Sequence, residues 1–268
     1  MQRLTPAQLV EAIEAGIFRL WVHLGRSPLL GLYDGPDMIR LISDVPSPFC
    51  NNVLRAHLAP EDTDTRIQAT LAPYKSRKLP VRWWTSPSTL PADLGSLLEA
   101  HGLTRVADVA GMAVHLPDLS EKLTGPPDLT VEPVSDVKTL ERWIQVLTIG
   151  MGVPASVGAL FFDVLAGSGL ELPWRHYIGW LKGEAVACSS LLLGAGGVAG
   201  IYFVATVPEA RGQGIGTALT LVPLLDARAM GYRIGVLGAT QMGLGVYQRL
   251  GFREYFKFGV YIWQGEMA

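Results

Sequence analysis

Cysteine is scarce in this 268-residue chain, with Cys50 and Cys188 the only two. Two cysteines cannot staple a chain of this length, and no CxxC pair or Cys/His ligand spacing is present; a disulfide framework is excluded. His23, His57, His101 and His115 show no metal-ligand spacing either, so no metal is expected. Charge is thin as well: 17% of residues are charged and the net charge is −2. Without a Lys/Arg run the chain lacks the usual footprint of a nucleic-acid binder. No apolar run reaches membrane-spanning length, and the stretch from Met1 to Gln8 lacks the apolar segment of a signal peptide. These absences lead us to expect a soluble cytoplasmic protein, monomer or homodimer. Hydrophobic residues make up 49% of the chain, enough for a sizeable core and too many for disorder.

The sharpest break in pattern is Leu123-Thr124-Gly125-Pro126-Pro127-Asp128, where Gly-Pro-Pro stops any regular element. It predicts two domains, 1–124 and 129–268. In the second, apolar residues at helical spacing predict a helix over 137–148 with Asp136 as N-cap, and another over about 155–166. A hairpin over 176–193 and a strand over 198–205 follow. Helix 214–230, strand 233–237, helix 243–250 and two short strands, 254–256 and 258–263, complete the pattern. This is an α/β (α+β) arrangement, a mixed, mostly antiparallel sheet flanked by helices. The first part echoes its later half. Leu71-Ala72-Pro73 precedes Arg82-Trp83-Trp84 much as Leu221-Val222-Pro223 precedes Arg233-Ile234-Gly235-Val236, and Leu97 to Leu103 matches Val246 to Phe252. Thr5-Pro6 reads as the N-cap and first residue of an opening helix.

Chemistry concentrates between Val207 and Thr217. An apolar strand ends near Thr206, a proline turn follows, and Gly212, Gly214 and Gly216 lead into a helix. Glycines let successive backbone N–H groups turn inward and remove the Cβ atoms that would obstruct an anion. The open helix end favours a pyrophosphate, and Arg211 adds a full charge beside it. A Walker loop would need Gly-Lys-Ser/Thr, and the dinucleotide fingerprint needs Gly-x-Gly-x-x-Gly early in a βαβ unit; neither is present.

The run Arg211-Gly212-Gln213-Gly214-Ile215-Gly216 resembles the acyl-coenzyme A loop of the GCN5-related N-acetyltransferase (GNAT) family, Gln/Arg-x-x-Gly-x-Gly/Ala. Tyr247-Gln248-Arg249-Leu250-Gly251-Phe252 resembles that family's final Tyr-x-x-x-Gly-Phe segment. The resemblance covers about 129–264. It implies a tandem of two GNAT-like domains, with 1–124 a degenerate copy. It also implies transfer of acetyl from acetyl-CoA to a primary amine of a small-molecule acceptor in a ternary complex. Val204, Ala205 and Thr206 would meet the pantetheine arm, with the Val204 N–H as oxyanion donor. Arg211, Gly212, Gln213, Gly214, Ile215, Gly216 and Thr217 would hold the pyrophosphate. Tyr247 would protonate the departing thiolate, a role suited to a phenol of ordinary pKa about 10. An acyl-CoA-binding sensor or scaffold without turnover is the alternative.

Two features depart from the family pattern. The strand before the loop, Gly200 to Val204, holds no carboxylate, so a general base would come from Glu171, Asp163 or His176, in that order. Pro223 interrupts the helix after the loop, removes its hydrogen bond to Leu219 and should kink it. In the first domain Leu98 takes the place of Tyr247, and Glu61, Asp62 and Asp64 stand where the loop would be. Those carboxylates repel a pyrophosphate, so this domain is not expected to bind coenzyme A. Trp83 and Trp84, and in the second domain Phe161, Phe162, Trp174 and Tyr177, are candidates to line an acceptor pocket.

Overall fold

The computed structural model describes residues 3–122, 125–170 and 173–265. In chain order the first elements are helix α1 (Pro6–Leu24), strands β1 (Gly31–Asp34), β2 (Ile39–Ile42) and β3 (Asn52–Leu54), helix α2 (Thr63–Ser76), strand β4 (Val81–Thr85), helix α3 (Leu94–Ala100) and strand β5 (Thr104–His115). Then come β6 (Leu129–Pro133), α4 (Val137–Met151), α5 (Ala155–Ser168), β7 (Trp174–Leu181), β8 (Glu184–Leu193), β9 (Val198–Thr206), α6 (Ile215–Ala229), β10 (Ile234–Ala239), α7 (Gln241–Arg249) and β11 (Arg253–Trp263). No described helix is long and apolar enough to cross a membrane.

The residues divide into two compact units, one of residues 18–110 and 256–265 and the other of 3–17 and 111–255. This division differs from the sequence boundary at 125–128. The chain passes from one unit to the other inside α1, β5 and β11, regular elements that no loop interrupts. β5 is one continuous strand, and so is β11, where two short strands were expected at 254–256 and 258–263.

In the first unit the strand order is β1-β2-β3-β4-β11-β5. β3 and β4 are parallel, joined through α2, whose buried Ile67, Leu71 and Tyr74 pack into the same core as Trp83, Leu94, Leu98 and Tyr261. Trp83 is fully buried, and the Trp84 indole N–H donates to Asn52 Oδ1 at 3.1 Å. Both tryptophans are therefore core residues. A short 3-10 turn over Pro60–Asp62 opens α2, with Glu61, Asp62 and Asp64 all exposed.

In the second unit the order is β5-β10-β9-β8-β7-β6, with β6 to β9 successively antiparallel and β10 parallel to β9. α1 opens on a reciprocal cap: the Thr5 N–H donates to Gln8 Oε1 at 2.9 Å and the Gln8 N–H to Thr5 Oγ1 at 3.3 Å. Asp136 caps α4 by accepting from the Thr139 N–H at 2.7 Å, and α4 stops at Gly152 in the left-handed region. Lys182 and Gly183 both have positive φ, the backbone twist that a two-residue hairpin between β7 and β8 requires. Pro223 lies within α6. The Leu219 carbonyl that it deprives of a donor accepts from the buried Ser189 hydroxyl at 2.7 Å, so β8 satisfies what the proline leaves open.

Candidate active site

Two irregularities in β9 create the site. Along β8, Cys188 faces Ala205 and Ser190 faces Tyr202, so the single residue Ser189 stands opposite two, Phe203 and Val204. This is a β-bulge, which bends the strand and takes a residue out of the ladder. Phe203 sits at φ +53°, a left-handed conformation inside a strand. On the other edge, β9 pairs with β10 only from Val198 to Gly200, although the strands continue to Thr206 and Ala239. Beyond that pairing lies a cleft of about 330 Å³.

The glycine loop forms one wall. A 3-10 turn over Pro208–Ala210 leaves β9, and Gly212 and Gly214 follow at φ +77° and +81°. A side chain at either position would be strained. Gly214 is the N-cap of α6 and supplies no side chain; the first helical bonds run from the Thr217 and Ala218 N–H groups to its carbonyl. The N–H groups of Ile215 and Gly216 therefore have no acceptor within the helix. A Cβ built on Gly216 would find only Thr206 Oγ1, at 4.0 Å. Exposed backbone donors, a helix start and open space fit an anionic diphosphate.

Val204, Ala205, Thr206, Arg211, Gly212, Gly214, Ile215, Gly216, Thr217 and Tyr247 all line the cleft; Gln213, expected among them, does not. Gln213 is exposed. Arg211 is held more firmly than a free cation: its Nε donates to the Thr206 carbonyl at 3.1 Å and another guanidinium nitrogen to that of Gly150 at 2.8 Å. It joins the end of α4 to the end of β9 while its charge borders the loop. Gly150 is needed there, since a Cβ would stand 2.9 Å from that of Ala205.

Tyr247 comes from α7 and is 8% exposed. Its ring lies against its own helix one turn back, where a Cβ on Gly243 would meet Cε2 at 2.8 Å, and edge-on to Phe252 at 6.0 Å. Burial pushes its phenol up to about 12, so it holds its proton throughout the neutral range. Sequence reasoning overlooked Gly150, Met242, Val246 and Arg249 as cleft residues. Arg249 is exposed and has no ion-pair partner among the described residues. It lay within the quoted Tyr-x-x-x-Gly-Phe segment, but only the turn of α7 brings it to the cleft.

The base candidates fare differently. Glu171 lies outside the described residues. Asp163 is exposed on α5 and does not line the cleft. His176 is wholly buried between Trp143 and Trp174, with Nδ1 2.7 Å from the Ser190 hydroxyl; it is a core residue. No Asp, Glu or His lines the cleft among the described residues. Phe161, Trp174 and Tyr177 are likewise core: Phe161 packs edge-on against Phe203, and the Tyr177 hydroxyl donates to Asp226 at 2.7 Å. A second cavity of about 370 Å³, bordered by Arg3, His115, Arg253 and Tyr255, shares no lining residue with the cleft. No cluster of metal-ligating side chains is present among the described residues.

Residues 173–254 match the family model described as acetyltransferase (GNAT) domain. No curated protein matches the sequence. Among solved structures, the chain is similar to a GCN5-related N-acetyltransferase from Kribbella flavida, at TM-score 0.71 and 18% identity over 96% of each chain. It is similar to another from Sphaerobacter thermophilus, at TM-score 0.63 and 16% identity, covering 100% of this chain and 96% of that one. A tandem GNAT protein from the clavulanic acid biosynthesis pathway aligns at TM-score 0.57 and 13% identity over 98% of this chain and 96% of that one. The chain thus has the fold of the GCN5-related N-acetyltransferases, and its match to the GNAT acetyltransferase domain spans the stretch that holds the bulge, the glycine loop and Tyr247.

Proposed function

We propose that this chain is an acetyl-CoA-dependent N-acetyltransferase acting on a primary amine of a small-molecule acceptor. The observation that carries the reading is the meeting, in one cleft, of an unladdered strand backbone, an anion-binding helix start and a buried, protonated tyrosine. Acetyl-CoA would supply the activated acyl group and a thiolate leaving group. Gly212 to Thr217 would hold the pyrophosphate through backbone N–H groups, with Arg211 and Arg249 adding charge. The Val204 N–H would steady the oxygen of the tetrahedral intermediate, where a preorganised donor counts most. The amine would form the new C–N bond and lose a proton to bulk water, and Tyr247 would give its proton to the sulfur as the C–S bond breaks, regaining one from solvent after the thiol leaves. Holding both reactants in one cleft supplies much of the acceleration.

In this reading 129–268 is the acyltransferase domain and 1–124 a degenerate GNAT-like copy without a coenzyme A loop. The common element order supports it: β3-α2-β4-α3-β5 repeats as β9-α6-β10-α7-β11, with a proline inside both α2 and α6. Leu98, buried in α3, stands where α7 carries Tyr247. A second reading, an acyl-CoA sensor without turnover, draws support from the lack of a carboxylate or histidine along the cleft among the described residues. Thiol release from acetyl-CoA with a panel of amines separates the two. Binding without Tyr247-dependent release from any amine would sink the enzyme reading in favour of the sensor.

A further inference from the structure

The bulge that gives β9 its exposed backbone is an unfavourable conformation for the residue that makes it. Among the described residues four that are not glycine have positive φ: Arg55, Lys78, Lys182 and Phe203. The first three are partly or fully exposed and hydrophilic; Phe203 alone is buried and aromatic. A side chain in the left-handed region is strained and persists only where its surroundings hold it.

Those surroundings are built around Phe203. Its ring meets Phe161 edge-on at 5.4 Å, Trp143 edge-on at 6.3 Å and Trp174 at 6.4 Å, so three elements, α4, α5 and β7, enclose it. The polar groups disturbed by the bulge are also provided for. The Ser189 carbonyl, opposite the bulge, accepts from the Trp143 indole N–H at 3.0 Å. The Phe203 carbonyl accepts from the Cys188 thiol at 3.5 Å. Burial raises the Cys188 pKa well above its ordinary value, which keeps the thiol protonated as that bond requires, and Ala205 makes a backbone hydrogen bond to the same sulfur. The groups on both sides of Val204 are thus fixed, and Val204 itself lines the cleft.

We infer that Phe203 is a positioning residue: its ring, seated in the Trp143–Phe161–Trp174 box, holds the left-handed turn that presents the Val204 backbone to the reacting acyl group. The role of the acyl group rests on the proposed function; the anchoring of the turn does not. Phe203 would act through Val204 and would not touch the substrate.

The test compares Phe203→Gly with Phe203→Ala in the full chain. Both lack the ring, but glycine takes the left-handed conformation without strain and alanine does not. The glycine variant is expected to exceed the alanine variant in kcat by about fivefold or more, with equal KM for acetyl-CoA. A ring that only filled space gives the opposite order, with alanine at or above glycine in rate as in resistance to denaturant, and that order overturns the inference. Carbon chemical shifts of residue 203 in the free protein supply a second readout that needs no turnover. They are expected to stay in the left-handed range in wild type and to leave it in Phe203→Ala; retention there overturns the inference at any activity. If wild type releases no thiol with any amine while the shifts behave as expected, the transferase reading falls and the anchoring stands.

Discussion

Replacing Gly212 by alanine tests the phosphate cradle with little else disturbed. Gly212 sits at φ +77° on an exposed loop, and a Cβ built there meets nothing within 4 Å. No clash accompanies the change, so its cost is the conformational strain of a left-handed alanine, about 1–2 kcal/mol. If the loop keeps its shape, that cost appears as lost folding stability. If the loop relaxes, it appears when coenzyme A forces the loop back. Few tertiary ties hold the exposed residue, so most of the cost is expected in binding. Calorimetry should show coenzyme A affinity falling about 5- to 30-fold, while denaturant unfolding shifts little. Gly102→Ala is the control, since φ is +86°, nothing lies within 4 Å and Gly102 belongs to the other unit. It should lose stability by a comparable amount and leave coenzyme A affinity unchanged. Equal affinity of wild type and Gly212→Ala, with no loss of stability, would refute the argument that this backbone geometry is the binding site.

Four other outcomes follow from the same structure. Tyr247→Phe should lower kcat about 100-fold or more with coenzyme A affinity retained; an unchanged kcat would remove Tyr247 as the acid. Because burial raises the Tyr247 pKa to about 12, its contribution to stability is complete below pH 10 and is lost as pH climbs from about 10 towards 12. The unfolding free energy of wild type minus that of Tyr247→Phe should therefore decline only in that alkaline window, and a decline near pH 7 would contradict the assignment. Ser189→Ala leaves the Leu219 carbonyl, opened by Pro223, without its donor and should cost about 1–3 kcal/mol in denaturant unfolding. No loss would mean that the proline is accommodated by other means. Arg211→Glu should weaken coenzyme A binding more than tenfold and flatten its salt dependence; calorimetry at two salt concentrations measures both, and equal affinity would exclude Arg211 from the diphosphate site.

Local signals made most of the second half legible. The Asp136 cap, the Lys182-Gly183 turn and the glycines after Thr206 each act within a few residues, so the sequence alone placed α4, the hairpin and the loop-to-α6 junction. Tyr247 and the loop were singled out separately, and the fold places both on one cleft. His176 misled because an imidazole beside aromatic residues reads alike as a base or as core; only its burial between Trp143 and Trp174 decides. The partner that compensates for Pro223 was not legible either, since the Ser189 hydroxyl lies 30 residues from Leu219 in the chain.

What the sequence determined by itself, then, is the local backbone: capped helices, a hairpin, and a glycine loop able to turn its N–H groups inward. Those depend on short-range sterics and hydrogen bonds that the neighbouring residues dictate. Tertiary structure decided the bulge at Phe203 and Val204, the tie from Arg211 to Gly150, the presence of Arg249 in the cleft, and the sharing of α1, β5 and β11 between the units. Each of these is settled by strand register or by packing between elements far apart in the chain. Phe203 shows the difference most plainly: an apolar residue in an apolar strand carries no local sign that it will turn left-handed, and only the rings around it make that conformation hold.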